Sequence, residues 1–145
     1  MNYIKYPRTF HLPWSMGATN DDKVLKTVDC FEGADVVITE KMDGENTTLY
    51  SDHFHARSID SRHHPSRDWL AAFHASIAND IPKGWRVCGE NVFARHSIEY
   101  NNLESYFLGF SIWNDKNVCL SWNETKYWFE LLGIIPVKEL YVGSF

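Results

Sequence analysis

Thr39-Glu40-Lys41-Met42-Asp43-Gly44-Glu45-Asn46-Thr47-Thr48 lies between the apolar run Val36-Val37-Ile38 and the short run Thr47-Thr48-Leu49-Tyr50. Asp-Gly between two strand-like segments is a strong short-range turn signal, so residues 34–50 are expected to form a β-hairpin. Strand side chains alternate, which puts Val37, Thr39 and Lys41 on one face and Val36, Ile38 and Glu40 on the other. Glu40 is then not the ion-pair partner of Lys41. The turn accounts for Asp43 and Gly44 but gives Lys41 no role. A lysine at a strand end beside a tight turn is either a solvated surface residue or an amine held at the mouth of a pocket.

Outward from this stretch, the N-terminal side holds Tyr3, Tyr6-Pro7 and Phe10-His11-Leu12-Pro13-Trp14. Its prolines disfavour helix and central strand, so residues 1–18 read as an extended aromatic cover. Thr19-Asn20-Asp21-Asp22 supplies an N-cap and first-turn acids for a short amphipathic helix through Val24, Leu25 and Val28, ending near Gly33.

On the C-terminal side, residues 51–68 carry His53, His55, Arg57, Arg62, His63, His64 and Arg67, a dense cationic stretch. Such stretches are commonly just solvated loops, but the planar, permanently charged arginines are also suited to phosphate. His53 and His55 share a face if extended, with no third metal ligand at a recognisable spacing. Ser66 can cap a helix over 66–79 whose Trp69, Leu70, Phe73 and Ile77 form one apolar stripe.

Trp85–Phe93 reads as a strand in which Gly89 marks a bulge or a close backbone approach. Glu90 beside it reads as an exposed or edge carboxylate, or as one aimed into a cleft. Residues 105–113 form a continuous apolar-aromatic run, a strand buried on both faces, in which an edge aromatic can serve as a stacking platform. A turn at Asn114–Asn117 leads to a short returning strand, Val118-Cys119-Leu120. Ser121-Trp122-Asn123-Glu124 has the capping-box pattern for a helix over 121–132, with Tyr127, Trp128, Leu131 and Leu132 as its buried face and Gly133 as its stop. Ile134–Val137 begins another strand.

The chain has 145 residues, 44% hydrophobic and 15% aromatic, with six tryptophans. That suits a single domain, residues 1–145, with a packed core and no need for disulfide or metal staples. No run approaches the roughly 18 apolar residues of a membrane span, and the N-terminus has no signal-peptide pattern. A soluble, cytoplasmic protein is expected. Cys30, Cys88 and Cys119 form no C-x-x-C pair and are expected to be buried free thiols. The formal charge of −5 gives no bulk attraction to nucleic acid, so any polyanion contact must come from a local patch.

Together, Glu40-Lys41-Met42-Asp43-Gly44, Arg57-Ser58, Cys88-Gly89-Glu90-Asn91 and the strand ending in Phe110-Ser111-Ile112 resemble, in order, motifs of the covalent nucleotidyltransferases. That superfamily comprises ATP-dependent ligases and mRNA capping enzymes. Glu45-Asn46-Thr47 makes the chain most similar to the RNA ligase family, and Asn46 disfavours a DNA ligase or a GTP-using capping enzyme. The resemblance implies an α+β fold: a twisted, mainly antiparallel sheet with flanking helices, like an ATP-grasp-like nucleotidyltransferase domain. It implies ATP and Mg2+ (or Mn2+) as cofactors, and RNA with 5′-phosphate and 3′-hydroxyl ends as partner. Lys41 would attack the α-phosphate to form lysyl-AMP. Asp43 and Gly44 complete the signature, Glu40 would read the adenine amine, and Asn46 would hold the AMP phosphate or the RNA end. Arg57 would contact phosphate or ribose, Glu90 the ribose or the metal, and Phe110 the base, with Tyr106 and Phe107 as alternative stacking rings.

The family's later E-G-x-V and K-x-K strands are not found before Phe145, and Glu139-Leu140-Tyr141-Val142-Gly143 does not match them. A C-terminally incomplete domain is therefore expected, with an exposed sheet edge or incomplete cleft and a risk of self-association. Two classes remain: an adenylylating RNA ligase or its front half, and a non-catalytic nucleotide- or RNA-binding remnant.

Overall fold

A computed structural model describes residues 2–57, 66–93 and 103–145. The chain forms two compact units, Met1–Tyr6 with Lys41–Lys138, and Pro7–Glu40 with Glu139–Phe145. The architecture is α+β and its strands are mostly antiparallel.

In the larger unit, β2 (Glu45–Leu49), β3 (Phe54–Ala56), β4 (Arg86–Asn91), β5 (Phe107–Trp113) and β6 (Ile135–Pro136) make one sheet of order β3-β2-β4-β5-β6. All neighbours are antiparallel except β5 and β6, which run parallel. Two helices accompany it, α1 (Ser66–Ile77) and α2 (Trp122–Leu132). The expected stripe on α1 holds: Leu70 and Ile77 are buried, and Trp69 and Phe73 pack beside them. They join Leu49, Val87, Phe107, Ile112, Phe129 and Leu132 in the main core. Burying such side chains contributes roughly 1.5–3 kcal/mol each, which is how short strands and two helices become one body.

Helix α2 begins and ends where its caps dictate. The Ser121 hydroxyl accepts the Glu124 N–H, and Gly133 takes the left-handed conformation at φ 73° that closes the last turn. Its buried face matches the expected one at Leu132 and Trp128 and differs elsewhere. Thr125, Phe129 and Leu132 point inward, whereas Tyr127 is 61% and Leu131 57% exposed. Residues at i, i+4 and i+7 share one face, and the chosen apolar positions straddled two. Ser121→Ala is expected to lower stability by about 1 kcal/mol, read as a lower urea midpoint at unchanged slope.

The smaller unit pairs β1 (Asp35–Thr39) with β7 (Glu139–Ser144), antiparallel from Asp35 opposite Ser144 to Thr39 opposite Glu139. The expected hairpin over 34–50 is therefore not formed: β1 takes β7 as its partner, while β2 takes β3 and β4. Gly44 is not among the glycines with positive φ, which a tight Asp-Gly hairpin turn requires. The glycine is needed for a different reason, close approach. A Cβ built on Gly44 would lie 2.4 Å from the Asn91 carbonyl oxygen and 2.9 Å from Val92 Cγ1.

The expected helix over 19–33 reduces to a single 3-10 turn, Asp29–Phe31. Asp22 accepts both the N–H and the hydroxyl of Thr19, closing a local turn in place of a helical one. Val24 is drawn into a bridge with His11. All three cysteines are free, but only Cys88 is buried, its thiol pushed up to about 11 by burial, whereas Cys30 and Cys119 are exposed. Cys30 sits on the 3-10 turn and Cys119 in an isolated bridge with Trp113, where neither is covered on both sides. Among the described residues no helix is long and apolar enough to cross a membrane.

Candidate active site

Register decides which side chains meet. Asn46 of β2 stands opposite Glu90 of β4, and Glu90 stands opposite Leu108 of β5. On the other side of β2, Thr47 pairs with Ala56 and Thr48 with His55. Arg57 follows β3 directly, exposed and one residue beyond the last pair of that ladder. Alternation puts Asn46, Glu90 and Leu108 in one row, with Arg57 just beyond its β3 end, on the face opposite Leu49, Val87 and Phe107.

The β4–β5 ladder slips between Cys88, opposite Ser111, and Gly89, opposite Gly109. Phe110 is the residue skipped, so the bulge expected at Gly89 exists and its extra residue lies on the partner strand. A Cβ on Gly89 would meet the Phe107 ring at 2.5 Å and the Leu108 carbonyl at 2.6 Å. The bulge also separates the candidate stacking rings. Phe107 is fully buried in the main core, and Tyr106 is 42% exposed against Trp69 and Phe93. Phe110 is half-buried and packs against a second cluster of Met42, Val92, Leu108 and Val137.

Met42 belongs to that cluster and is 6% exposed, which anchors the Lys41–Gly44 segment against the ends of β4 and β5. Its neighbours differ: Lys41 is exposed and Asp43 half-buried. The Gly44 N–H donates to Glu90 Oε1 at 3.2 Å. Glu90 is thus not an edge carboxylate. It lies half-buried on an interior strand, because β5 completes the sheet beyond it.

Asn46 Oδ1 is buried without a hydrogen-bond partner in the structure. An unmet buried acceptor costs about 1–3 kcal/mol, and its position in the row marks where a donor is wanted.

One expectation about the cationic stretch changes. Arg67 is held by Glu45 through paired bonds of 2.9 and 2.8 Å, a bidentate ion pair that ties α1 to β2. That contact removes Arg67 from the expected phosphate patch, since the guanidinium fork faces a carboxylate. His55 is buried between Tyr50 and the Ala56 carbonyl, and among the described residues no three His, Cys, Asp or Glu side chains form a metal cluster. Ser58, Arg62, His63 and His64 lie outside the described residues. Glu40 is exposed just after β1 and belongs to the smaller unit. Magnesium is commonly held by one or two carboxylates together with substrate phosphates and water, and Glu90 suits that arrangement without a protein cage.

Sequence reading missed Tyr6. Its ring lies edge-to-face on Phe110 at 5.3 Å, and its hydroxyl faces Ser111. Burial raises the Tyr6 pKa, while the Ser111 hydroxyl and the Arg57 charge lower it. The only signal in the sequence was an aromatic residue before a proline.

No curated protein matches the chain. The family model described as RNA ligase matches residues 34–145, which span every element of the row and the Lys41–Gly44 segment. The chain belongs to the RNA ligase family.

Proposed function

We propose that this chain uses ATP to adenylylate Lys41 and passes the AMP to an RNA 5′-phosphate for joining to a 3′-hydroxyl. The observation that carries the reading is the unmet Asn46 Oδ1 in a row with Glu90, with Arg57 just beyond the row's end, beside a K-x-D-G segment clamped by Gly44 and Met42. A ribose or terminal RNA hydroxyl can donate to that oxygen, while the amide N–H2 of Asn46 and the guanidinium of Arg57 can donate to phosphate.

In the first step the deprotonated Lys41 nitrogen attacks the α-phosphorus. The nitrogen–phosphorus bond forms as the bond to pyrophosphate breaks, and the second nitrogen-bound proton goes to solvent. For the amine lone pair to approach the phosphorus, the bound triphosphate has to arrive with its charge offset. Magnesium or manganese carried by the nucleotide and held by Glu90 would supply that offset. Arg57 orients the phosphates, Glu90 keeps the Gly44 backbone in place, and Phe110 offers a face to the base. An RNA 5′-phosphate oxygen then displaces Lys41 from AMP, and a 3′-hydroxyl displaces AMP.

The test is incubation with α-labelled ATP and magnesium, followed by intact-mass analysis under denaturing conditions. One AMP adduct is expected, mapping to Lys41 and not formed from GTP. A protein that binds ATP but never gains the adduct is a nucleotide-binding remnant, and one that does neither overturns the reading.

A further inference from the structure

The N-terminal arm, Asn2–Tyr6, has no regular secondary structure, yet it is fastened at both ends to the sheet face that carries the Asn46 row. At one end the Ile4 N–H donates to the Tyr50 hydroxyl at 2.8 Å, and that hydroxyl lies 3.0 Å from His55 Nε2. His55 Nδ1 is 2.6 Å from the Ala56 carbonyl, so Nδ1 carries the proton and Nε2 accepts from Tyr50. The Tyr3 ring packs on Tyr50 and His53, and its hydroxyl donates to Asp52. At the other end Tyr6 meets Phe110 at an interplanar angle of 80°, with its hydroxyl facing Ser111.

His55, Thr48, Cys88 and Ser111 are opposed in turn across β3, β2, β4 and β5, one same-face step along the strands from the row of Asn46, Glu90 and Leu108. The arm therefore crosses the neighbouring row and closes one side of the site. Phe110, the residue skipped by the ladder, has no opposed residue on β4 to fix its direction, and Tyr6 supplies an aromatic contact in its place.

The geometry points to Tyr6 as a positioning residue of the nucleotide site, holding the Phe110 ring in the orientation that stacks on the base. This rests on the reading of Phe110 as the base platform. Tyr6 acts through Phe110, so its contribution exists only while that ring is present.

Equilibrium ATP binding to the Lys41→Ala protein, measured by calorimetry with magnesium, reads the effect without adduct formation. In that background Tyr6→Ala is expected to weaken ATP binding about 3- to 10-fold, the range of one aromatic pair, and Tyr6→Phe to restore most of it. Adding Tyr6→Ala to Phe110→Ala is expected to change nothing further, because the partner ring is already gone. With Lys41 intact, Tyr6→Ala is expected to raise KM for ATP and to leave kcat for adduct formation within about 2-fold. Tyr6→Leu keeps the apolar bulk without the ring and is expected to behave as alanine does, which preserves the test should alanine fail to fold. Unchanged ATP binding in both Tyr6→Ala and Tyr6→Leu, or an equal loss with and without Phe110, overturns the inference while leaving the proposed function standing. Failure of the Lys41→Ala parent itself to bind ATP overturns the nucleotide site and this inference together.

Discussion

Lys41→Ala is expected to abolish the AMP adduct completely and to leave stability within about 0.5 kcal/mol of the wild type, the usual range for an exposed surface substitution. Lys41 is exposed and follows β1 outside any strand, so truncating it removes no core contact. The buried neighbour Met42 still anchors the segment, and the Gly44 bond to Glu90 remains. Lys41→Arg is expected to be equally inactive, since a guanidinium stays protonated and offers no lone pair for attack. ATP binding, followed calorimetrically, is expected to persist in both variants. This separation of binding from adduct formation distinguishes a nucleophile from a residue that merely holds the nucleotide. An adduct of undiminished yield on Lys41→Ala would sink the assignment.

Gly44→Ala has the second-largest expected effect, and it acts through geometry. The added carbon would stand 2.4 Å from a backbone carbonyl on Asn91, a neighbour that cannot rotate away. The segment must lift from β4, which stretches the 3.2 Å bond to Glu90 and draws Met42 from its cluster. Overpacking of this kind costs about 1–3 kcal/mol. Displacing a reacting group by about 1 Å can cost on the order of 100-fold in rate. The single-turnover rate of adduct formation is therefore expected to fall by about 100-fold while the protein stays folded in the absence of urea. Gly17→Ala is the control, because a Cβ there meets nothing within 4 Å. Equal stability and equal adduct rate in Gly44→Ala would show that the close approach to Asn91 does not hold the segment in place.

The two substitutions probe opposite kinds of information. Lys41 is a chemical group whose identity is visible in the chain and whose fold contacts are few. Gly44 is legible as a glycine, but its reason is not: a turn and a close approach call for the same residue. The local pattern favoured the turn, and the tertiary contact with Asn91 is what the position requires. A similar substitution of cause occurs at Arg67, which looks like a phosphate ligand among its cationic neighbours and instead grips Glu45. Glu90 changes in the reverse direction, from an edge carboxylate to one held on an interior strand against the Lys41–Gly44 segment.

Local elements were legible where their signals are local. The caps of α2 and the stripe of α1 depend on residues within a few positions of one another, and both appear as the spacing implies. The helical face of α2 and the fate of residues 19–33 were misjudged because aromatic residues are compatible with either side of a helix, and because Asp22 prefers its own turn at Thr19. Cys88 is buried as expected, whereas the exposure of Cys30 and Cys119 has no local signal, because burial depends on what comes from far along the chain.

By itself the amino-acid sequence determined the α+β class, both helices, the bulge at Gly89, the RNA ligase resemblance and the residue types of the row. Only the tertiary structure decided the pairing of β1 with β7, the register that aligns Asn46 with Glu90, the burial of Phe107 where Tyr106 and Phe110 stay partly exposed, and the contact of Tyr6 with Phe110. Each of these joins residues far apart in the chain, or depends on a one-residue slip that exchanges the two faces of a strand, and neither leaves a trace in local spacing.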